Sequence, residues 1–418
     1  MQQNSEIVFN MLTRFERAGQ EETPSTPISL VSEMLDRLPS EVWSDPTKTF
    51  FDPACSTGTF LLEIVRRLNI GLKNKIQDQN ERLRHILTKQ VFGAEMNPAP
   101  YWVTLGMFNR LFTAEGIVDE INIFCANALE GIKEIKGMKF DVVVMNPPYQ
   151  APQNSDAKRG GGDLLWNKFV EKAINSWISD SGHLCAVHPS GWRKPESDRS
   201  KFKGLFKLMA HDHHMTYLEI HDSKDGMKTF NAGTRYDWYV IHKNQSGQTK
   251  IKDQNGEEEI YDLADYLWLP NHSFKSVSKL LGGGSGIIFD RTNYGSDKKW
   301  TSPERTEVFK YPLVHSTTKK GVRYYYSSRN DNGHYGIPKV IFGDSGIHDT
   351  IVDMDGEYGM TQHGMAIPVQ SEEDAAKLST YLKSESFKDI LNACSWSNFQ
   401  IDWRMFTYFK EGFWRDQI

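Results

Sequence analysis

Phe140-Asp141-Val142-Val143-Val144-Met145-Asn146-Pro147-Pro148-Tyr149 is the stretch that decides the fold. Phe140 to Met145 is short, apolar but for Asp141, and rich in β-branched side chains, the pattern of a buried strand. The strand stops at Asn146. The two prolines cannot extend a ladder, and Pro147 biases Asn146 away from the helical region. A stiff loop then offers an amide, a carbonyl and an aromatic ring together, and in an open α/β sheet ligands sit at the carboxyl ends of strands. The Asn146 side-chain oxygen and the Pro147 carbonyl are both acceptors and match the two hydrogens of a planar exocyclic NH2. Bonding both hydrogens pulls that nitrogen toward a tetrahedral form and frees its lone pair. Tyr149 can stack on the ring that bears the amine, worth roughly 1–3 kcal/mol per base. Asn146, Pro147, Pro148 and Tyr149 are therefore the catalytic candidates, although the same four residues also describe a plain turn after a core strand.

Working backward, Thr26 to Pro39 reads as a helix, with Thr26 as N-cap, Pro27 at the first helical position and Val31, Met34, Leu35 and Leu38 on one face. Thr49 to Leu62 (TFFDPACSTGTFLL) reads as strand, tight loop of small residues, then an amphipathic helix through about Leu68. Small residues at a helix start let backbone N–H groups approach a ligand. Residues 69–90 are polar and helical in character. Val91-Phe92-Gly93-Ala94-Glu95 is a second strand, and Glu95 at its end is placed to bind a ribose diol, as in dinucleotide folds. Ile121 to Leu129 supplies a third strand and its exit.

Working forward, Gln150 to Gly162 is a polar, Gly-rich loop able to close over a substrate. Asp163 to Ala173 is helical, and Gly182 to Trp192 is a strand and a break in which His188 is structural. Residues 193–207 carry Arg193 and Lys194 among six basic residues, which read either as a solvated helix or as a phosphate-contacting segment. His211, His213 and His214 lack the partners of a metal site. The last sheet strands fall at 215–220 and 235–241. A polar stretch from Lys243 divides domain 1–242 from domain 243–418. In the second domain Gly282 to Gly286 is a turn rather than a phosphate loop. Lysines and arginines interleaved with Trp300, Phe309, Tyr311, Tyr324, Tyr325 and Tyr326 suit nucleic-acid contact.

Composition sets wide bounds. The chain has 418 residues, 39% of them hydrophobic and 25% charged, with a net charge of −5. That is ordinary for a globular protein of two domains. No apolar run approaches the roughly 18–20 residues of a membrane span, Met1-Gln2-Gln3-Asn4 does not open a secretion signal, and four scattered cysteines fit a reducing cytosol.

Taken together, these stretches resemble the γ-class DNA N6-adenine methyltransferases that use S-adenosylmethionine (AdoMet), of the restriction-modification or orphan type. Asn146-Pro147-Pro148-Tyr149 is similar to their motif IV, Asp52 to Phe60 to motif I, Glu95 to motif II, Asn127-Ala128 to motif III, and the region of Leu164 to motif V. Thr26-Pro27 is similar to motif X, and Lys228 to Thr234 to motif VIII. The resemblance covers roughly residues 24–242. It implies a Rossmann-like, AdoMet-dependent methyltransferase α/β sheet, followed by a C-terminal mixed α/β target-recognition domain. It assigns AdoMet to Thr26, Pro27, Asp52, Ala54, Cys55, Ser56, Thr57, Gly58, Phe60, Glu95, Met96, Asn127, Ala128, Asn146 and Leu164. Many relatives have Gly-Ser-Gly where this chain has Ser56-Thr57-Gly58, so Thr57 is expected to tolerate that turn. It assigns Phe230 to stack on the target adenine; an ordinary buried phenylalanine fits that position equally well. The implied partners are duplex DNA and a separate restriction endonuclease or other defence-system proteins, with no membrane and no metal. The implied place is the cytoplasm, on the nucleoid of a prokaryote or of a phage-infected cell. The rivals are an RNA adenine methyltransferase, a protein-glutamine methyltransferase, and a catalytically silent DNA-binding subunit that needs a partner.

Overall fold

The computed structural model describes residues 26–112, 121–150, 163–197, 200–396 and 400–417. The chain divides into two compact units. The first holds residues up to Trp192 together with Ser197–Leu267; the second holds Arg193–Glu196 and Trp268–Ile418. The expected division at 242/243 falls inside the first unit, because two further strands beyond it belong to the same sheet.

The first unit is built on strands β1 (Phe50–Asp52), β2 (Val91–Glu95), β3 (Asn122–Cys125), β4 (Phe140–Met145), β5 (Ile178–Pro189), β6 (His214–His221), β7 (Tyr236–His242), β8 (Thr249–Lys252) and β9 (Glu258–Tyr261). They form one sheet in the order β3-β2-β1-β4-β5-β7-β6-β8-β9. The run from β3 to β5 is parallel, and β7 runs antiparallel to both neighbours. The Rossmann-like expectation holds for this sheet. What the sequence concealed is that 249–261 continues it: β8 pairs with β6, and β9 with β8. Both strands are four residues long and largely polar, so they carry little of the apolar signal that marked β4.

Helices α1 (Ile28–Leu35), α2 (Thr59–Gly71), α3 (Gln79–His85), α4 (Pro98–Phe112), α5 (Trp166–Lys172), α6 (Leu205–Ala210) and α7 (Ser223–Phe230) accompany the sheet. Val31, Met34 and Leu35 of α1 and Leu61, Ile64 and Leu68 of α2 are fully buried in one cluster with Val142 and Val144 of β4. β1 and β4 are held further by Phe51 stacked on Phe140 at 4.7 Å.

The second unit contains α8 (Phe274–Ser278) and two small sheets. One has the order β10-β12-β11-β15, from β10 (Thr301–Ser302), β11 (Tyr311–Thr318), β12 (Gly321–Ser327) and β15 (Gly359–Met360). The other has the order β14-β13-β16, from β13 (Lys339–Gly343), β14 (Ile351–Asp353) and β16 (Gly364–Pro368). The helical stretch expected at 371–391 is two helices, α9 (Glu372–Leu382) and α10 (Glu385–Ala393), because Ser384 caps the second through the Phe387 N–H. The aromatic tail folds back as core: Phe406, Phe409 and Phe413 are fully buried with Phe387 and Phe342, and α11 (Arg404–Tyr408) carries the first of them. The glycine run is a clasp for this tail, since Gly282 and Gly283 donate to the Tyr408 carbonyl and Ser285 to that of Phe409.

Arg193 belongs to this second core and corrects an expectation. It is 0% exposed. Its guanidinium donates to the carbonyls of Leu269 and Pro270 and to Asn271 Oδ1 at 2.9–3.2 Å. Asn271 Nδ2 in turn donates to the Ser395 carbonyl at 2.8 Å. A guanidinium spent in this way is not offered to a phosphate. Lys194 is half-buried, and its burial lowers its pKa against the opposing charge of Asp402. We expect Arg193→Ala to strand three buried acceptors and destabilise the protein by at least about 3 kcal/mol, at about 1–3 kcal/mol for each unsatisfied group. Arg193→Lys, which lacks the planar fork, is expected to recover only part of that. Urea unfolding measures the loss; a phosphate ligand would instead show weakened DNA binding at unchanged stability.

Candidate functional site

β1 lies between β2 and β4, all parallel, with Phe51 opposite both Phe92 and Val143. Their carboxyl ends therefore open on one side of the sheet, and with them Asp52, Glu95 and Asn146. The loops after β1 and β2 are tied to each other by hydrogen bonds, and Asn146 after β4 is tied to Thr26.

Glu95 does most of the tying. Its Oε2 accepts from the Ser56 N–H at 3.0 Å and its Oε1 from the Asn97 N–H at 2.7 Å. Cys55 N–H donates to the Ala94 carbonyl at 2.9 Å. The loop after β1 is thus hung from the end of β2. Its turn is made by Ser56 at φ 45° and Gly58 at φ 81°, and Thr57 stays outside the left-handed region. The expected strain at Thr57 is therefore carried one residue earlier, by a serine small enough to accept it. Gly58 is required twice over. Its φ is left-handed, and a Cβ there would lie 2.8 Å from Cγ2 of Thr104. Thr104, buried on α4, also donates its hydroxyl to the Ser56 carbonyl at 2.6 Å. Thr104 is a support that no motif pointed to; only helical phase from Pro98 faces it toward this loop.

Asp52 is 1% exposed. It accepts from the Ala54 N–H at 3.0 Å. Burial pushes its pKa up to about 8, the nearby Glu95 adds to the rise, and the Ala54 N–H opposes it. A buried carboxyl in this condition favours a cationic ligand, whose charge restores its ionised form. AdoMet is such a ligand, and a carboxylate at the end of β2 fits its ribose. Beside Glu95, Met96 is 49% exposed, an apolar surface open to a flat ring. Phe60 and Cys55 are buried behind the loop. Asn127 is occupied locally, donating to Glu130 Oε1 and accepting from the Leu129 N–H; Ala128 beside it is buried.

Asn146 follows the fully buried Met145 and is itself half-buried. Its Nδ2 donates to Thr26 Oγ1 at 3.0 Å. Thr26 is therefore not the helix cap expected of it: Pro27 holds the N-cap position, and no side chain caps α1. Pro147 is buried, Pro148 is exposed, and Tyr149 is half-buried, its phenol pushed up by burial. Behind Tyr149 the chain is fastened, with the Leu165 N–H donating to its carbonyl at 3.1 Å and Gln150 bridged to Leu164. The Gly-rich loop expected to close over a substrate lies outside the described residues from 151 to 162.

Two other expectations concern aromatic and imidazole rings. Phe230 is 6% exposed, edge-on to Tyr236 at 4.9 Å and part of the main core. Its ring is packed, and Tyr149 is half-buried after β4. His188 is fully buried under the Trp166 ring at 4.1 Å. Burial lowers its pKa to about 3. The Pro189 carbonyl can only accept, so Nδ1 carries the proton and Nε2 accepts from the Tyr239 hydroxyl at 2.9 Å. His188 is neutral structure, as the sequence implied. His211 and His214 bond backbone carbonyls, and His213 accepts from the Asn244 N–H.

Comparison with known proteins places this site in context. Residues 6–172 match the family model of N-6 DNA Methylase. An uncharacterized adenine-specific methylase of Mycoplasma pneumoniae is 24% identical over 310 residues, covering 58% of this chain and 72% of that protein. The type II restriction enzyme and methyltransferase RM.BcgI of Heyndrickxia coagulans is 24% identical over 205 residues, covering 48% of this chain but 30% of that protein. A DrdV–DNA complex superposes with a TM-score of 0.50 at 12% identity, covering 87% of this chain and 51% of that one, which is a likeness of fold.

The state of Asp52 gives a test that needs no activity. Its folded pKa of about 8 lies above the unfolded value near 3.9. Between those values the folded state binds the extra proton, so stability falls as pH rises from about 4 to 8, by about 1.4 kcal/mol per pH unit at most. Urea unfolding at pH 5, 6.5 and 8 is expected to show a steeper decline for the wild type than for Asp52→Asn. Parallel declines would mean that Asp52 ionises freely.

Proposed function

From the match of residues 6–172 to the family model of N-6 DNA Methylase, we propose that the chain is a site-specific DNA adenine-N6 methyltransferase. It moves the methyl group of S-adenosylmethionine to an adenine extruded from duplex DNA. The observation that carries this is the alignment of Asp52, Glu95 and Asn146-Pro147-Pro148-Tyr149 at the carboxyl ends of three adjacent parallel strands.

Each residue has a stated task. Asp52 faces the positive charge of the cofactor, and Glu95 with the Ser56–Gly58 turn takes its ribose, with Met96 against its adenine. S-adenosylmethionine supplies an electrophilic methyl group. Asn146 Oδ1 and the Pro147 carbonyl hold the two hydrogens of the target amine, and Tyr149 stacks on the base. Inside a duplex the amine is paired and stacked, so the nucleotide has to swing out to meet these groups. Holding the reacting atoms together supplies a large part of the rate.

The second unit is the part we assign to target recognition. Arg323 and Tyr325, two residues apart on β12, share one face of its four-stranded sheet, where a charge and a ring can meet DNA together. RM.BcgI joins restriction and methylation in one protein; a separate endonuclease is the corresponding partner for this chain. No helix among the described residues is long and apolar enough to cross a membrane, and the place of action is the nucleoid.

Labelled S-adenosylmethionine incubated with duplex DNA of mixed sequence is expected to yield N6-methyladenine within a short shared sequence. Asn146→Ala is expected to slow transfer by about 10²–10³, the scale for losing one positioned polar group at a reacting centre, while S-adenosylhomocysteine still binds. Transfer to RNA and not to duplex DNA would overturn the substrate. Full activity in Asn146→Ala would remove that residue from the chemistry.

A further inference from the structure

We infer that Arg323 and His363 read base edges of the target sequence, from a platform made by Tyr325 and His315. This rests on the proposed DNA substrate and on the assignment of the second unit to target recognition, and it names the groups there that distinguish one sequence from another. All four residues belong to that unit. Phosphate contacts fix a protein's register on a duplex but carry no sequence information directly; base edges carry it.

A bulge builds the platform. On the β11–β12 ladder Val314 faces Tyr324, and the next pair is Ser316 with Arg323, so His315 is an extra residue. A bulge of this kind re-aims a side chain. Here the His315 ring lies on Tyr325, with centroids 4.4 Å apart and planes 25° from parallel. His315 Nδ1 is hydrogen-bonded to the hydroxyl of the fully buried Thr361 at 2.9 Å. The His363 ring stands edge-on to His315 at 5.2 Å. Burial lowers the His315 pKa, and His363 and Arg323 lower it further, so both lie within electrostatic reach of the platform.

Two groups beside these rings are open to a ligand. Arg323 is exposed and has no ion pair among the described residues. Its guanidinium is the donor fork that matches O6 and N7 of guanine in the major groove. His363 is different, because its side chain is 38% exposed yet its orientation is set from behind. Its Nδ1 donates to Asp344 Oδ2 at 3.3 Å, and the Asp344 side chain is 2% exposed. The Asp344 N–H donates to the His363 carbonyl at 3.0 Å, and its Oδ1 accepts from the Ser345 hydroxyl at 2.8 Å. With Nδ1 committed, Nε2 is the end left for a partner. It accepts in the neutral ring and donates in the charged one, so it bonds a base edge in either state. Burying a carboxylate behind an exposed ring costs desolvation, which a ring with no orientation to keep does not call for. Gln362 beside it is no reader, since both ends of its amide are held by Ser296.

Duplexes of random sequence, selected for binding to the whole protein in S-adenosylhomocysteine, give a consensus without any need for turnover. The wild type is expected to select one short sequence. Arg323→Ala and His363→Ala are each expected to lose the preference at one base pair, by about tenfold in relative affinity, and to keep it elsewhere, the scale of one base contact. The two affected base pairs are expected to be near neighbours. His363→Gln keeps a polar end where His363→Ala fails to fold, and it is expected to alter the preference at that same base pair. Uniformly weaker binding with an unchanged consensus would make these residues phosphate contacts and overturns the inference. Unchanged consensus and affinity overturn it as well, as does a wild type that selects no sequence. A wild type that selects a sequence but transfers no methyl group to it overturns the proposed function and leaves the inference standing.

Discussion

Everything at the site depends on β1 being held in parallel register between β2 and β4. β1 is three residues long, and all three are buried. A strand so short has few ladder bonds of its own, so its place is set by its neighbours and by the Phe51–Phe140 stack. Parallel pairing requires long crossovers between the strands. That requirement puts the loop after β1, the acid after β2 and the Asn-Pro-Pro-Tyr loop after β4 at the same edge, although they come from residues 52, 95 and 146. The site follows from the topology, and the side chains then refine it.

Electrostatics sharpen the site at a cost to stability. Asp52 and Glu95 are both buried and close enough to raise the Asp52 pKa. Glu95 is compensated by two backbone N–H groups, whereas Asp52 has one. The imbalance leaves Asp52 the less compensated of the two carboxyls. Strain adds to this in the left-handed Ser56, which persists because Glu95 and Thr104 hold the loop from both sides.

Much of this was legible in the sequence, and the gaps have physical reasons. β4 announced itself by a run of β-branched residues ending in two prolines, and Glu95 by its place after an apolar strand. Local rules failed where a side chain was claimed by something distant. Thr26 looked like a cap, but its hydroxyl serves Asn146. Arg193 looked like one of a row of surface cations, but among the described residues of that row it is the one at the centre of a core. Phe230 had two equal readings, and its ring lies edge-on to Tyr236. β8 and β9 were missed because their pattern is polar and because the hairpin they form joins the sheet only through β6, more than thirty residues before β8. For Thr26, Arg193 and β8 the deciding contact is long-range, and nothing in a short window reports it.

The burial of Arg193 has a consequence for how the molecule is assembled and how it can be re-engineered. The second unit is stitched from two pieces of chain, Arg193–Glu196 and Trp268–Ile418, so the strands β6 to β9 are, in topological terms, an insertion within it. During synthesis Arg193 emerges well before the carbonyls it will satisfy, and the second core cannot close until the rest arrives. A chimera that exchanges only residues 268–418 for those of a relative would bring foreign carbonyls to a native arginine. Exchange of this unit between relatives therefore has to carry the tetrapeptide with it, a discontinuous graft rather than a cut at one linker.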